Sequence, residues 1–297
     1  MIHSTTPAAP RRFAPPRQRR WAASMLAAAA MVSFACGSGS KSETSMGATS
    51  AGATSAGATS ASPSVPAATA PSALTGPLNV FAAASLTAAF DDAKTTLTTA
   101  NPGLKLSYNF AGSNALVAQI TQGAPADVFA SADQKNMQKL VDAGLVETPR
   151  TFVKNALQIA VKAGNPKRIA SLADLGEPDV TVVLEAEGVP AGDYARRVLA
   201  AEHVTVRPRS LETDVKSALA KVTSGEADAT VVYVTDVIAA GSAIQGVPIP
   251  SADQPSITYP IAVVKSTANR AAAQGFVDSA VSGVVQTSLE KAGFSAP

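Results

Sequence analysis

Cysteine and histidine are almost absent from this chain of 297 residues, which holds one cysteine, Cys36, and two histidines, His3 and His203. A single cysteine excludes an intramolecular disulfide and a thiolate metal cage. So few histidines leave little material for a bare-cation metal site or for a serine hydrolase, whose nucleophile needs a general base. The one tryptophan, Trp21, lies near the N-terminus. Clustered basic charge is also missing from most of the chain. The formal net charge is +2, but six of the 24 Lys and Arg (Arg11, Arg12, Arg17, Arg19, Arg20 and Lys41) precede residue 77. Only one of the 22 Asp and Glu does, which leaves 18 basic against 21 acidic residues from Pro77 onward, a balance of −3. A slightly acidic body argues against nucleic acid as a partner, because neutralising phosphates takes clustered Lys and Arg. There is no Gly-x-Ser-x-Gly elbow, P-loop or Gly-x-Gly-x-x-Gly run. His203 reads as a surface histidine in a helix-to-strand loop. Asp91-Asp92, and Glu185 with Glu187, read as solvated charges. The expectation is a protein that is not an enzyme.

What is present begins with an address. Arg17-Gln18-Arg19-Arg20 is a basic segment, and Trp21 to Ala35 is an apolar run of 15 residues. That is short for a membrane span and suits the core of an export signal. The run ends at Ser33-Phe34-Ala35-Cys36-Gly37, which resembles a bacterial lipobox, with Ser33 where such motifs usually carry Leu. The resemblance implies a signal over 1–36, lipidation of Cys36 and anchoring on the extracytoplasmic face of the cell membrane. Residues 37–76 are largely Gly, Ser, Ala, Thr and Pro, with Ala-Thr-Ser-Ala-Gly recurring from Ala48 to Ala61. No aliphatic period appears there, so the segment reads as a flexible tether.

From Pro77 the pattern becomes strand, turn, helix. Leu78–Ala82, Leu104–Phe110 and Asp127–Ala130 read as strands, with helices over Leu86–Ala100, from Ser113 through Ile120, and over Gln134–Ala143. A second set follows from near Thr151: strands Leu157–Val161, Thr181–Leu184, Val204–Val206 and Ala229–Val234, with helices Asp193–Ala201 and Val215–Thr223. Strand Ile257–Val264 and a helix within Ala271–Leu289 close the chain. This order implies an α/β protein of two lobes, each a mostly parallel sheet flanked by helices. The expected boundaries are 77–153 plus 255–297 for lobe 1 and 154–254 for lobe 2, with a ligand cleft between them.

Four strand-to-helix junctions could receive an anion: those at Ser85, at Ser113, at Val189-Pro190-Ala191-Gly192, and at Asp214-Val215. Each helix start offers unpaired N–H groups and the positive end of a dipole. Taken singly, a serine there is usually only a helix cap, and Tyr233 on an apolar strand is usually a core residue. Their combination is more specific. Val80-Phe81-Ala82-Ala83-Ala84-Ser85-Leu86, Gly123-Ala124-Pro125-Ala126-Asp127-Val128-Phe129-Ala130, Val189-Pro190-Ala191-Gly192-Asp193-Tyr194, Asp214-Val215, Val232-Tyr233-Val234-Thr235-Asp236 and Tyr259-Pro260-Ile261-Ala262-Val263-Val264 occur in that order. Together they resemble the molybdate-binding proteins of bacterial molybdenum ABC importers, from about Leu78 to Phe294.

The resemblance implies a type II periplasmic-binding fold and an oxyanion held by Ser85, Ser113, Ala191, Val215 and Tyr233. It implies molybdate or tungstate as ligand, no cofactor, a permease and its ATPase as partners, and a monomer. The second turn departs from the family pattern, with Gly112-Ser113-Asn114 replacing a more serine-rich run, so a contact from Asn114 stays open. None of the five matched residues is Lys or Arg, so a dianion would be held by oriented neutral dipoles in a dry cleft. Size would then select: a smaller tetrahedron such as sulfate leaves donors unmet, at about 1–3 kcal/mol each. Another tetrahedral anion, sulfate or phosphate, is the alternative ligand.

Overall fold

A computed structural model describes residues 74–297. The expected signal, the Cys36 acceptor and the tether as far as residue 73 lie outside these residues. Strand β1 (Gly76–Ala83) starts one residue inside the expected tether and pairs in parallel with β2 (Leu104–Ala111) on one side and β3 (Val128–Ala130) on the other. Helices α1 (Thr87–Ala100) and α2 (Ser113–Thr121) make the crossovers. A helical crossover returns the chain to the same sheet end, so its strands lie parallel. Helix α3 (Gln134–Asp142) follows, with the Asp133 side chain accepting from the Asn136 amide as its N-cap. Two strands from elsewhere complete the sheet, β4 (Arg150–Asn155) and β10 (Ile257–Val263), in the order β2-β1-β3-β10-β4.

Alternation along β1 assigns its faces. Leu78, Val80 and Ala82 belong to a core with Phe90 and Leu97 of α1 and Phe276 of α7 (Arg270–Ser282), where Phe90 and Phe276 meet edge to face at 5.5 Å. Phe81 packs on the other face with Leu116, Phe129, Met137 and Leu140. A sheet covered on both faces needs apolar residues on both, which is why β1 is continuously apolar from Val80 to Ala83, after Asn79. Phe90 is fully buried, and cutting it to Ala would cost about 3–5 kcal/mol.

The second sheet is built on β5 (Leu157–Lys162), flanked by β8 (Ala229–Tyr233) and β9 (Ile244–Pro248). Two short strands, β6 (Leu184–Glu185) and β7 (Leu211–Glu212), pair in parallel, and a parallel bridge from Val182 to Ala229 joins this pair to β8. Helices α4 (Pro190–Ala201), α5 (Val215–Ser224) and α6 (Val234–Ala240) accompany this sheet. The chain then returns through β10 to α7 and α8 (Val284–Lys291) beside the first sheet.

Where mostly parallel sheets were expected, the first sheet is mixed and the strands β8-β5-β9 of the second pair only antiparallel. One strand in each is reversed: β10 is antiparallel to β3 and β4, and β5 is antiparallel to β8 and β9. The cause is connectivity, since β5 follows β4 through Ala156 alone and β10 follows β9 without an intervening α-helix. Each reversed strand carries the chain from one sheet to the other. Gln254 ties the two crossings together: its Oε1 accepts from the Leu157 amide at 2.8 Å, and its Nε2 donates to the Leu157 and Ile249 carbonyls at 2.8 and 3.2 Å.

Other expectations need correction. Val204–Val206 is not a strand; the pairing segment is β7, further along. The strand expected over Thr181–Leu184 contracts to the Val182 bridge and β6. The closing helix divides at Gly283, whose extended backbone crowds the preceding turn so closely that an added Cβ would lie 2.8 Å from Ser279 Cα. Helix α4 begins at Pro190, three residues early, because proline is preset for a first helical turn where its missing N–H costs nothing. Strands β4 and β9 and helix α6 were not anticipated. Helix α5 matches closely, from its Asp214 cap to Gly225 at φ 80°.

Candidate functional site

The apolar strand ends deliver four helix starts to one place. Ser85 sits in the single 3-10 turn Ala84–Leu86 that links β1 to α1. Ser113 is the first residue of α2, Ala191 the second of α4 and Val215 the first of α5. Tyr233 ends β8 immediately before α6. All five line one cavity, together with Ala83, Ala84, Ala111, Gly112, Ala132, Val189, Pro190 and Asp214. It is small: the centre of a water-sized sphere has only about 10 Å³ to move in, about what a single water needs and far below the ~300–1,000 Å³ of pockets that take drug-sized molecules. Elements of both sheets contribute, so the cavity lies between the lobes. Asn114 is not among the lining residues.

The lining contains no Lys or Arg. Its polar content is hydroxyls and first-turn amides, and those amides have no acceptor in their own helices. Ser85, Ser113, Ala191, Val215 and Tyr233 are all at most 5% exposed. The Asp214 carboxylate is turned into α5, where Oδ1 accepts from the Lys216 and Ser217 amides at 2.9 and 3.0 Å. Its charge is therefore engaged by a helix start.

The two serine hydroxyls have defined partners. Ser113 Oγ accepts from the Ala132 amide at 3.1 Å, which leaves its own hydrogen free for the cavity. Ser85 Oγ lies 3.0 Å from Tyr259 Oη. Tyr233 Oη has no hydrogen-bond partner among the described residues although Tyr233 is buried. Burial, above all, raises the Tyr233 hydroxyl well beyond the ordinary tyrosine range, so at neutral pH it is an un-ionised donor. A buried hydroxyl without a partner points to a polar group that enters from outside.

Two contacts join α3 of the first lobe to the start of α4 in the second. Lys135 Nζ in α3 meets Asp193 Oδ2 in α4 at 2.8 Å, and Asn136 Nδ2 donates to the Gly188 carbonyl at 3.2 Å. At Gly112 a Cβ would lie 2.5 Å from the Thr213 carbonyl oxygen, so only glycine permits this approach of the two lobes. The arrangement suits capture and enclosure of a small anion. Among the described residues no cluster of three His, Cys, Asp or Glu could hold a metal ion.

One charge expectation fails. Asp91, Asp92 and Glu187 are exposed, as is His203, but Glu185 is fully buried. It continues the apolar run Val182-Val183-Leu184 into the interior, and neither carboxylate oxygen has a partner among the described residues. Burial pushes it up to about 8, with Asp236 and Asp214 adding to the rise and Arg196 opposing it. Asp236 is pushed up to about 6, by burial first, against the pull of Lys216 at 3.6 Å. Asp236 also accepts from the Tyr233 amide at 3.3 Å, anchoring the end of β8. Neither acid's role was visible in the sequence, where each looks like any surface carboxylate. Tyr259 and the Ala132 amide, which hold the two serines, were also unassigned.

Comparison with known proteins gives concordant results. The family model for bacterial extracellular solute-binding proteins matches residues 78–295. The molybdate-binding protein ModA of Mycobacterium tuberculosis is 41% identical over 219 residues, which is 73% of this chain and 84% of that protein. ModA of Escherichia coli is 36% identical, over 68% of this chain and 82% of its own. The substrate-binding domain of a putative molybdenum ABC transporter from Clostridium difficile superposes with a TM-score of 0.56 at 32% identity, covering 74% of this chain and 99% of that one.

Proposed function

We propose that this chain, which belongs to the bacterial extracellular solute-binding proteins and within them to the ModA molybdate-binding proteins, captures molybdate or tungstate outside the cytoplasm and delivers it to an ABC importer. The observation that carries the reading is the unpartnered, buried Tyr233 hydroxyl facing a cavity whose other polar groups are two serine hydroxyls and first-turn amides. In this reading Ser85, Ser113 and Tyr233 donate through their hydroxyls, and Ala191 and Val215 through their backbone N–H groups.

The chemistry is binding alone, with no bond made or broken and no cofactor. Neutral dipoles fixed by helix starts neutralise the dianion without reorganising. Enclosure between the lobes removes water and strengthens each hydrogen bond. Two donors are backbone groups and three are hydroxyls on buried side chains, so the cavity keeps its size, and a smaller tetrahedron cannot satisfy all of them. Lipidation at Cys36 would hold the monomeric protein at the outer face of the membrane, with the 37–76 segment as its tether, beside the permease and its ATPase. Residues 77–153 with 255–297 would form one lobe and 154–254 the other.

Thermal denaturation with a panel of oxyanions tests this. Molybdate and tungstate at 100-fold above Kd should each stabilise the protein by about 2.7 kcal/mol. Sulfate or phosphate stabilising it equally at the same concentration would replace molybdate with the alternative ligand class.

A further inference from the structure

Tyr259 lies on β10, the reversed strand of the first sheet, and is completely buried. It is not among the residues lining the cavity. Its ring packs edge to face on Tyr233 at 5.7 Å, on Phe294 at 5.4 Å and on Phe152 at 6.4 Å, so it has little freedom to turn. Its hydroxyl sits between Ser85 Oγ, at 3.0 Å, and Asn155 Nδ2, at 3.4 Å. Asn155 is the last residue before the chain crosses to the second sheet, and its Nδ2 also donates to Thr235 Oγ1 at 2.9 Å in α6.

The direction of these bonds can be worked out. The Asn155 side-chain oxygen accepts from the Ala156 amide at 2.9 Å, which fixes the side-chain amide so that its NH₂ faces Tyr259. An NH₂ only donates. Tyr259 Oη therefore accepts from Asn155 and keeps its single hydrogen to give; of the two directions open to its bond with Ser85 Oγ, donation from Tyr259 uses that hydrogen. In that direction Ser85 Oγ accepts, and its own hydrogen is free for the cavity that Ser85 lines. Ser113 shows the same polarity by a different route, because its Oγ accepts from the backbone amide of Ala132. In that arrangement both serines have an acceptor side occupied from behind.

We infer that Tyr259 is a positioning residue which, oriented by Asn155, donates to Ser85 Oγ and turns the Ser85 hydrogen into the cavity to meet the anion. The inference rests on the oxyanion reading of the site. Without the tyrosine hydroxyl, Ser85 keeps its place but loses the bond that fixes its hydrogen, and orientation must be supplied at the moment of binding.

A double-mutant cycle measured by calorimetric titration of molybdate into the whole protein tests it. Ser85→Ala alone should weaken binding roughly 10- to 150-fold. Tyr259→Phe, which keeps the ring, should weaken it roughly 5- to 50-fold by the same reasoning. In the Ser85→Ala background, Tyr259→Phe should change Kd by less than about 2-fold, since coupled groups are not additive. Asn155→Ala run through the same cycle provides a second reading should Tyr259→Phe fold poorly. If Tyr259→Phe weakens binding equally with and without the Ser85 hydroxyl, its contribution is packing and the inference is overturned. If it leaves Kd unchanged while Ser85→Ala raises it, the inference alone fails. If Ser85→Ala leaves molybdate binding unaltered, the oxyanion reading of Ser85 fails, and the inference with it.

Discussion

Tyr233→Phe separates binding from folding in one substitution. In the ligand-free protein the Tyr233 hydroxyl is buried and has no hydrogen-bond partner among the described residues. Leaving such a group unpaired costs about 1–3 kcal/mol, less whatever an ordered water returns. Removing it should leave ligand-free stability unchanged or raise it by up to that amount. The ring's edge-to-face contact with Tyr259 at 5.7 Å is kept by phenylalanine. For a domain of this size each kcal/mol moves Tm by about 2–4 °C, so the ligand-free Tm should rise by 0 to roughly 10 °C. Binding should move the other way. A hydrogen bond to a charged acceptor is worth about 1.5–3 kcal/mol, so the loss should weaken molybdate binding roughly 10- to 150-fold. Differential scanning calorimetry without ligand and isothermal titration with molybdate read the two effects separately. A variant with lower ligand-free Tm and unaltered Kd would refute the reasoning, because the hydroxyl would then serve the fold.

Ser113→Ala should behave differently, since Ser113 Oγ also accepts from the Ala132 amide; both molybdate affinity and ligand-free stability should fall, the latter by about 1–3 kcal/mol for the orphaned amide, and an unchanged ligand-free Tm would count against that bond. Glu185 is pushed up to about 8 by burial, so the folded protein holds a proton that the unfolded chain releases near the ordinary carboxylate value of 4.5; stability from this group is full below that pH and is lost as pH rises toward 8, at about 1.4 kcal/mol per pH unit. Glu185→Gln should flatten the decline in a series of chemical denaturation curves from pH 5 to 8, and parallel pH profiles for parent and variant would exclude a buried neutral acid. Cys36→Ser should release the protein from membranes or leave it unprocessed in a bacterial host; mass spectrometry finding a mature N-terminus beyond residue 36 with no acyl chain on the parent would remove the anchor from the account.

The sequence made the binding end of each lobe legible because the junctions there are short and chemically plain. Apolar runs such as Val80-Phe81-Ala82 stop at a small or capping residue, and a helix period follows at once. Asp214 and Gly225 mark both ends of α5, since a cap acceptor and a left-handed glycine are local requirements written in local residues. Strand direction was less legible. Parallel order was inferred from alternation with helices, but β5 and β10 reverse because they cross between sheets without a helix, and nothing in Leu157–Lys162 itself states which neighbour it will meet. Strand β4 was missed because Arg150-Thr151-Phe152-Val153-Lys154-Asn155 is mainly exposed or half-buried at its ends, and its apolar content is brief. Glu185 was misjudged because burial of a carboxylate depends on what three helices and a second strand place around it. Tyr259 escaped notice for a related reason: its partners Ser85 and Asn155 lie 174 and 104 residues away in the chain.

The central claim is that oriented neutral donors in this cavity hold a molybdate-sized tetrahedral dianion. Isothermal titration of the purified protein with molybdate, repeated in the presence of an equal concentration of sulfate, tests it most directly. The account predicts one molybdate per protein, with a Kd that sulfate at equal concentration does not measurably raise. No heat of binding with molybdate, or displacement of molybdate by an equal concentration of sulfate, would contradict it.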